Sequence, residues 1–216
     1  MQKQRAERNR TISLTETETD LYLSKCVRLT QESALSDITD TIVHGDALNV
    51  IDYLPVACVD LLIVDPPYNL NKTFNNTTFK QMSDVEYAAF TENWILKVKR
   101  VLKDTASLYV CCDWRTSLII GSVLQHHFTV QNRITWQREK GRGAKRNWKN
   151  SMEDIWFATM SPKSFTFNVD AVKMRRKVIA PYKVDGKPKD WQETEYGNFR
   201  DTFPSNFWDD ISIPYW

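Results

Sequence analysis

The run Leu61-Leu62-Ile63-Val64 passes without a break into Asp65-Pro66-Pro67-Tyr68, and few folds accommodate that join. Four consecutive aliphatic residues after Val59 and Asp60 read as a strand of a parallel sheet, covered on both faces and therefore not alternating. A diproline cannot continue such a strand, because each ring fixes φ near −65° and deletes an amide donor. The chain must leave the sheet at Asp65, and in an open α/β sheet that exit is a strand's carboxyl end, where ligands bind. The corner then offers carbonyl oxygens and the Asp65 carboxylate, all acceptors, beside the flat ring of Tyr68.

An acceptor-only set beside an aromatic plate suits an exocyclic amine on a planar heterocycle such as adenine or cytosine. Such an amine carries two N–H donors, and its lone pair is delocalised into the ring, so the nitrogen is a poor nucleophile. If Asp65 accepts one proton and the Pro66 carbonyl the other, electron density returns to nitrogen while Tyr68 stacks on the ring. The plainer alternative is a structural strand exit in which Asp65 caps a turn and Tyr68 packs. A chance match to these four residues in a chain of this length is on the order of one in a thousand before the strand context is considered, which favours the chemical reading.

The flanking sequence alternates short apolar runs with helical periods, the pattern of α/β units. Strands are expected over 41–44, 59–64, 107–112, 128–136 and 155–160. Short helices are expected over 47–54 and 116–125. Ser83-Asp84-Val85-Glu86 has the form of a capping box, and Tyr87, Phe90, Trp94, Val98 and Val101 follow at helical spacing, which predicts a helix to about Lys103. Residues 1–38 read as a charged, partly disordered leader, 39–165 as the α/β unit and 166–216 as an irregular appendage rich in Lys, Arg and aromatic residues.

With 216 residues, 42% apolar and 26% charged, the chain is long enough for a packed core and too balanced for a fibre or a disordered tail. No apolar run approaches the about 18 residues of a membrane span, and the polar opening MQKQRAERNR does not read as a signal peptide, so a cytoplasmic location without membrane association is expected. Cys26, Cys58, Cys111 and Cys112 have no C-x-x-C spacing, and no metal site is expected. A net charge of +2 says little about partners; its distribution says more.

Beyond the tetrapeptide, the chain resembles the amino-group DNA methyltransferases that use S-adenosylmethionine to modify N6 of adenine or N4 of cytosine. Asp65-Pro66-Pro67-Tyr68-Asn69-Leu70 is similar to their catalytic motif, whose Asp form leans toward adenine. His44-Gly45-Asp46-Ala47-Leu48 with Leu54 is similar to an element whose acidic residue lies near the cofactor. Ser107 to Trp114 and Arg133 to Trp136 resemble later strands, the second bearing an aromatic near the target base. The resemblance implies catalytic roles for Asp65, Pro66, Pro67 and Tyr68, cofactor contacts at Asp46, Ala47 and Asp65, and base contacts at Tyr68 and Trp136. It also implies an α/β fold, a partial Rossmann-like sheet with helices on both faces and a carboxyl-terminal recognition region.

One family element is missing. The Asp-Pro-Phe-x-Gly-x-Gly cofactor loop has no counterpart, since the one G-x-G, Gly141-Arg142-Gly143, sits in a basic loop. Two readings stay open: a split or truncated enzyme whose cofactor half resides on a second polypeptide, or a remnant that no longer catalyses. Either way, an exposed sheet edge and apolar face are expected around residues 59–64 and 107–112.

Two basic stretches point to double-stranded DNA. Arg138 to Asn150 reads REKGRGAKRNWKN, so Lys140, Arg142, Lys145, Arg146 and Trp148 are expected to meet phosphates or a base, and Arg175 and Arg176 fall in a second cluster. A base inside a duplex would have to be flipped to reach Tyr68. The competing readings are a non-catalytic DNA-binding module of the same fold and a methyltransferase acting on RNA or protein. A C5-cytosine enzyme lacks support, because no Pro-Cys pair supplies its thiolate.

Overall fold

The computed structural model describes residues 14–74, 77–138, 145–179 and 182–211. Lys140, Arg142 and the last five residues, 212–216, lie outside the described residues, as do residues 1–13 of the leader. The part of the leader that is described is not frayed: α1 (Glu16–Leu23) is a helix with a reciprocal capping box between Thr15 and Glu18. After α2 (Leu35–Ile38), the expected strand over 41–44 is reduced to one parallel bridge between Val43 and Val27. Helix α3 (Ala47–Val50) follows, continued by a 3-10 turn over Ile51–Tyr53.

The central sheet begins with β1 (Val59–Val64), which leads through the hairpin of β2 (Lys72–Phe74) and β3 (Thr77–Phe79) to α4 (Asp84–Val101). Tyr87, Thr91, Trp94, Ile95, Val98 and Val101 of α4 are buried, a stripe at three- and four-residue steps. Helix α4 passes directly into β4 (Leu102–Cys112), a longer strand than expected, with Lys99 and Arg100 in the last helical turn where cations complement the dipole. Helix α5 (Thr116–His127), β5 (Thr129–Gln137) and β6 (Met152–Thr159) complete the unit.

The sheet order is β1-β4-β6-β5-β12, where β12 is Phe207–Trp208. β1 and β4 run parallel, β6 runs antiparallel to both β4 and β5, and β12 adds parallel to β5. The fold is thus mixed α/β. Alternate β4 residues Ala106, Leu108, Val110 and Cys112 face the main core with α4 and α5. The intervening Tyr109 and Cys111 face a second cluster of Ile134, Ile155, Phe157 and Trp208. Tyr109 and Phe157 stack there with centroids 4.7 Å apart.

β1 is not the doubly covered strand its aliphatic run suggested. Among the described residues it pairs only with β4, and Leu61 and Ile63 are 53% and 69% exposed, so the open edge expected at 59–64 is present; the one expected at 107–112 is not, because β4 lies between β1 and β6 with Leu108, Val110 and Cys112 buried. The appendage is more regular than expected. β7 (Met174–Lys177), β10 (Gln192–Thr194) and β11 (Gly197–Thr202) form a small antiparallel sheet, with the hairpin of β8 (Lys183–Val184) and β9 (Lys187–Pro188) beside them.

Candidate active site

Topology brings four strand ends together. β1, β4 and β5 point their carboxyl ends the same way, and the antiparallel β6 contributes its first residues to that edge: Cys112 pairs with Asp154, and Glu153 with Trp136. The diproline corner is thereby brought near Glu153 at the start of β6, whose charge acts on Tyr68, while Asp65 and Asp113 act on Glu153.

The corner is tied down from behind. Tyr87, fully buried in the first turn of α4, donates its hydroxyl to the Pro67 carbonyl at 2.8 Å. The buried Asn69 side chain closes a two-bond clasp on Met82, donating to its carbonyl at 2.9 Å and accepting from its N–H at 2.7 Å. Asn71 accepts from the Gln81 N–H at 2.9 Å, and Ser83 and Glu86 form the expected capping box one residue beyond the clasp. The loop after Tyr68 is thereby fixed to the helix that covers the core. These bonds use the Pro67 carbonyl and leave the Asp65 carboxylate exposed, with Pro66 buried and Pro67 exposed.

Half-buried Tyr68 sits between carboxylates. Burial, then the negative charge of Glu153 and a hydrogen bond to Asp65, push its phenol well above the ordinary range, so the hydroxyl stays protonated and donates to Asp65. Glu153 is also pushed up, first by burial and then by the charges of Asp65 and Asp113, against the lowering effect of Arg138. Arg138 binds Glu153 at 2.9 Å and lies over the Trp136 ring, 4.5 Å from its centroid. The Trp136 indole N–H is committed to the Ile211 carbonyl at 2.7 Å. The Trp136 that sequence reading places near a base thus stands at the rim of the site with Arg138 against its ring. Asp113 turns away to cap α5, accepting from the Thr116 N–H at 2.8 Å.

The remaining expected residues lie apart from the corner. Asp46 caps α3, its Oδ1 accepting from the Leu48 N–H at 2.9 Å, and Ala47 is the first helical residue. A Cβ on Gly45 would come within 2.5 Å of Val50 Cγ2, so this close approach requires glycine. Lys145, Arg146 and Trp148 are exposed on the loop between β5 and β6, whose base is closed by the Arg138 N–H on the Ser151 carbonyl at 2.6 Å; Trp148 is 94% exposed. Arg175 and Arg176 lie on β7. Sequence reading missed Tyr87, Glu153 and Arg138 as members of the site.

A family model, N6_N4_Mtase, described as DNA methylase, matches residues 59–215. The chain belongs to this family. It is 28% identical over 176 residues to the type II methyltransferase M.HpaI of Haemophilus parainfluenzae, covering 81% of this chain and 51% of that protein. It is 32% identical over 138 residues to the DNA adenine methyltransferase YhdJ of Escherichia coli K12, covering 63% and 47% respectively. The chain thus spans about half the length of these relatives. Among solved structures, the cytosine-N4-specific PvuII DNA methyltransferase superposes with a TM-score of 0.50 at 12% identity, covering 80% of this chain and 56% of that one, which establishes the shared fold.

Proposed function

We propose that this chain is the catalytic and target-recognition portion of an S-adenosylmethionine-dependent DNA methyltransferase that modifies the exocyclic amine of a base turned out of the duplex, with adenine N6 as the target. The observation that carries this reading is the pinned diproline corner at the carboxyl edge of the sheet, with an exposed carboxylate and a half-buried tyrosine beside it. Asp65 and the Pro66 carbonyl accept hydrogen bonds from the two amine N–H groups, and Tyr68, held by its hydroxyl on Asp65, presents its ring to the base. The Asp at position 65 and the adenine-methylating relative favour adenine. Cytosine N4 is the second reading, because the same acceptor pair fits either amine.

Asp46, Ala47 and Asp65 are the proposed cofactor contacts. Asp46 uses one carboxylate oxygen on α3 and is exposed, which leaves the other able to accept a hydroxyl; the charge of Asp65 suits a neighbouring sulfonium. These residues fit one edge of the cofactor and do not enclose it. The enclosing part is proposed to come from a segment outside these 216 residues, seated against the open edge of β1 where Leu61 and Ile63 are exposed. The cofactor, when bound, supplies an electrophilic methyl group. The chain's own residues hold the amine in line, keep its lone pair available and exclude water from one side of the base.

The test is methyl transfer from labelled S-adenosylmethionine to mixed-sequence duplex DNA, by the chain alone and by the chain extended with the family's cofactor-binding half. Transfer is expected in the extended form, with N6-methyladenine in the nucleoside digest, and Asp65→Ala is expected to abolish it. Folded extended protein that binds DNA and transfers no methyl group would refute the catalytic reading; N4-methylcytosine in the digest would select the second one.

A further inference from the structure

The register of the small β10-β11-β7 sheet separates two arginines that adjacent positions would group together. Arg175 stands across the ladder from Asp201, and Arg176 from Arg200. Successive side chains of a strand point to opposite faces. The Arg175 guanidinium accordingly lies over the Phe199 ring, 5.5 Å from its centroid. Arg176 instead contacts Sδ of Met174, two residues back on its own face, at 3.8 Å. Phe199 is paired with Gln192 on the other ladder, which puts Gln192 on the Arg175 face. Arg175, Gln192, Phe199 and Asp201, with Lys189, line an open cleft of about 330 Å³, whose wall is completed by Trp191 and the Asp190–Arg200 ion pair.

The chemistry of that cleft is specific. A guanidinium and a carboxamide each present two groups in a plane, the arrangement that matches N7 and O6 of guanine or N7 and N6 of adenine in the major groove. Arg175 is preorganised by its stack on Phe199, so less side-chain freedom is lost on binding. Its donors are not consumed within the chain: among the described residues Arg175 forms no ion pair, and the nearby Asp190 is engaged by Arg200 at 3.3 Å. Lys177, on the Arg175 face by alternation, and Lys189 at the cleft add charge suited to phosphates. A short antiparallel ribbon is also one of the two elements the major groove admits.

We infer that the cleft on the Arg175, Gln192 and Phe199 face reads purine edges in duplex DNA, and that Arg176, on the reverse face, takes no part in sequence recognition. This rests on the DNA-methylation reading above and divides the basic cluster of the appendage into a reading face and a bystander face.

The experiment enriches a random-sequence duplex library on the 216-residue chain and on three variants, sequences the bound fraction, and measures affinity by fluorescence anisotropy over a salt series. Wild type is expected to enrich a motif. Arg175→Ala is expected to lose preference at one position of it by about 5- to 150-fold, the range for one two-point base contact. Arg175→Lys keeps the charge without the planar fork and is expected to lose the same preference. Arg176→Ala removes an equal charge one residue away and is expected to retain both motif and affinity within about twofold. Near-UV circular dichroism checks folding, and Arg175→Lys stands in should Arg175→Ala fail that check. An intact motif in the Arg175 variants, or equal erosion by Arg176→Ala, overturns the inference while leaving the DNA reading in place. A wild-type chain that enriches nothing and shows no salt-dependent duplex binding overturns both.

Discussion

Tyr87→Phe deletes a single oxygen and isolates the bond that pins the diproline corner. The Tyr87 ring is fully buried against Phe90, so the phenyl ring of the variant fills the same space and no cavity term enters. What disappears is the 2.8 Å bond from the hydroxyl to the Pro67 carbonyl, together with the hydroxyl's interaction with the Thr116 side chain. A hydrogen bond of this kind contributes about 0.5–1.5 kcal/mol net, and a carbonyl left dry costs about 1–3 kcal/mol. The bond is part-buried, so the lower part of the combined range applies: about 1–1.5 kcal/mol. For a chain of this size that lowers Tm by about 2–6 °C. Equilibrium urea unfolding with an unchanged m value reads the same quantity. The larger effect is expected in function. A corner displaced by a fraction of an ångström misaligns both acceptors, so transfer by the extended enzyme is expected to fall at least about tenfold while DNA affinity stays put. A variant within about 0.3 kcal/mol of wild type, with an unchanged transfer rate, would show that the corner is rigid without Tyr87 and would refute the reasoning.

Three further perturbations probe separate parts of the fold. Gly121→Ala places a methyl group inside the Trp156 indole, which cannot swing away because its N–H is held by Ser117 Oγ at 3.1 Å; a loss of about 1–3 kcal/mol or more is expected by thermal unfolding, and an unchanged Tm would contradict that packing. Glu153 binds its proton more tightly folded than unfolded, so the wild type loses stability relative to Glu153→Gln as pH rises from below the ordinary carboxylate range through the raised value. The difference in unfolding midpoint should therefore move toward the variant as pH rises above the ordinary carboxylate range; movement toward wild type would mean that the Arg138 pair outweighs burial. Burial pushes the Cys112 thiol up to about 12 and raises that of Cys111 as well, so both should resist iodoacetamide at pH 8 in the native protein and react once it is unfolded, as read by peptide mass spectrometry.

The parts of the site legible in the sequence are those written in consecutive residues. An aliphatic run and two prolines declare a strand and its end through local sterics alone, and the capping box at Ser83 announces α4 in the same way. Tyr87 reads as one more core position of an amphipathic helix, because nothing local indicates that its hydroxyl will meet a carbonyl 20 residues away. Glu153 was hidden for a related reason. β6 was expected to start at Ile155, but it begins at Met152, and Glu153 within it is polar because it edges the site rather than the core. The expected strand over 41–44 failed because aliphatic residues make a strand only with a partner: Ile42 is 72% exposed and Val43 has a single bridge. In the appendage the Asp185-Gly186 pair is a local turn signal. Asp185 and Gly186 both adopt positive φ between β8 and β9, as a two-residue hairpin turn with an Asp-Gly pair requires.

The same contrast explains why half a family fold holds together as a site. Rows of side chains on the central sheet are fixed by β4, which is flanked on both sides, and by β6 and β5 beyond it, so Glu153 and Trp136 keep their positions whatever lies outside β1. The corner itself hangs from β1, an edge strand with one neighbour among the described residues, and it is there that the extra fastenings accumulate: the Tyr87 bond, the Asn69 clasp and the capped start of α4. An edge strand held by β4 alone would let the corner drift with every fluctuation of the edge. Anchoring it to α4, which is buried against the main core, couples its position to the most stable part of the chain instead. The acceptor geometry at Asp65 is therefore a property of these residues themselves, and a segment seated on β1, as proposed above, would meet a corner that is already fixed.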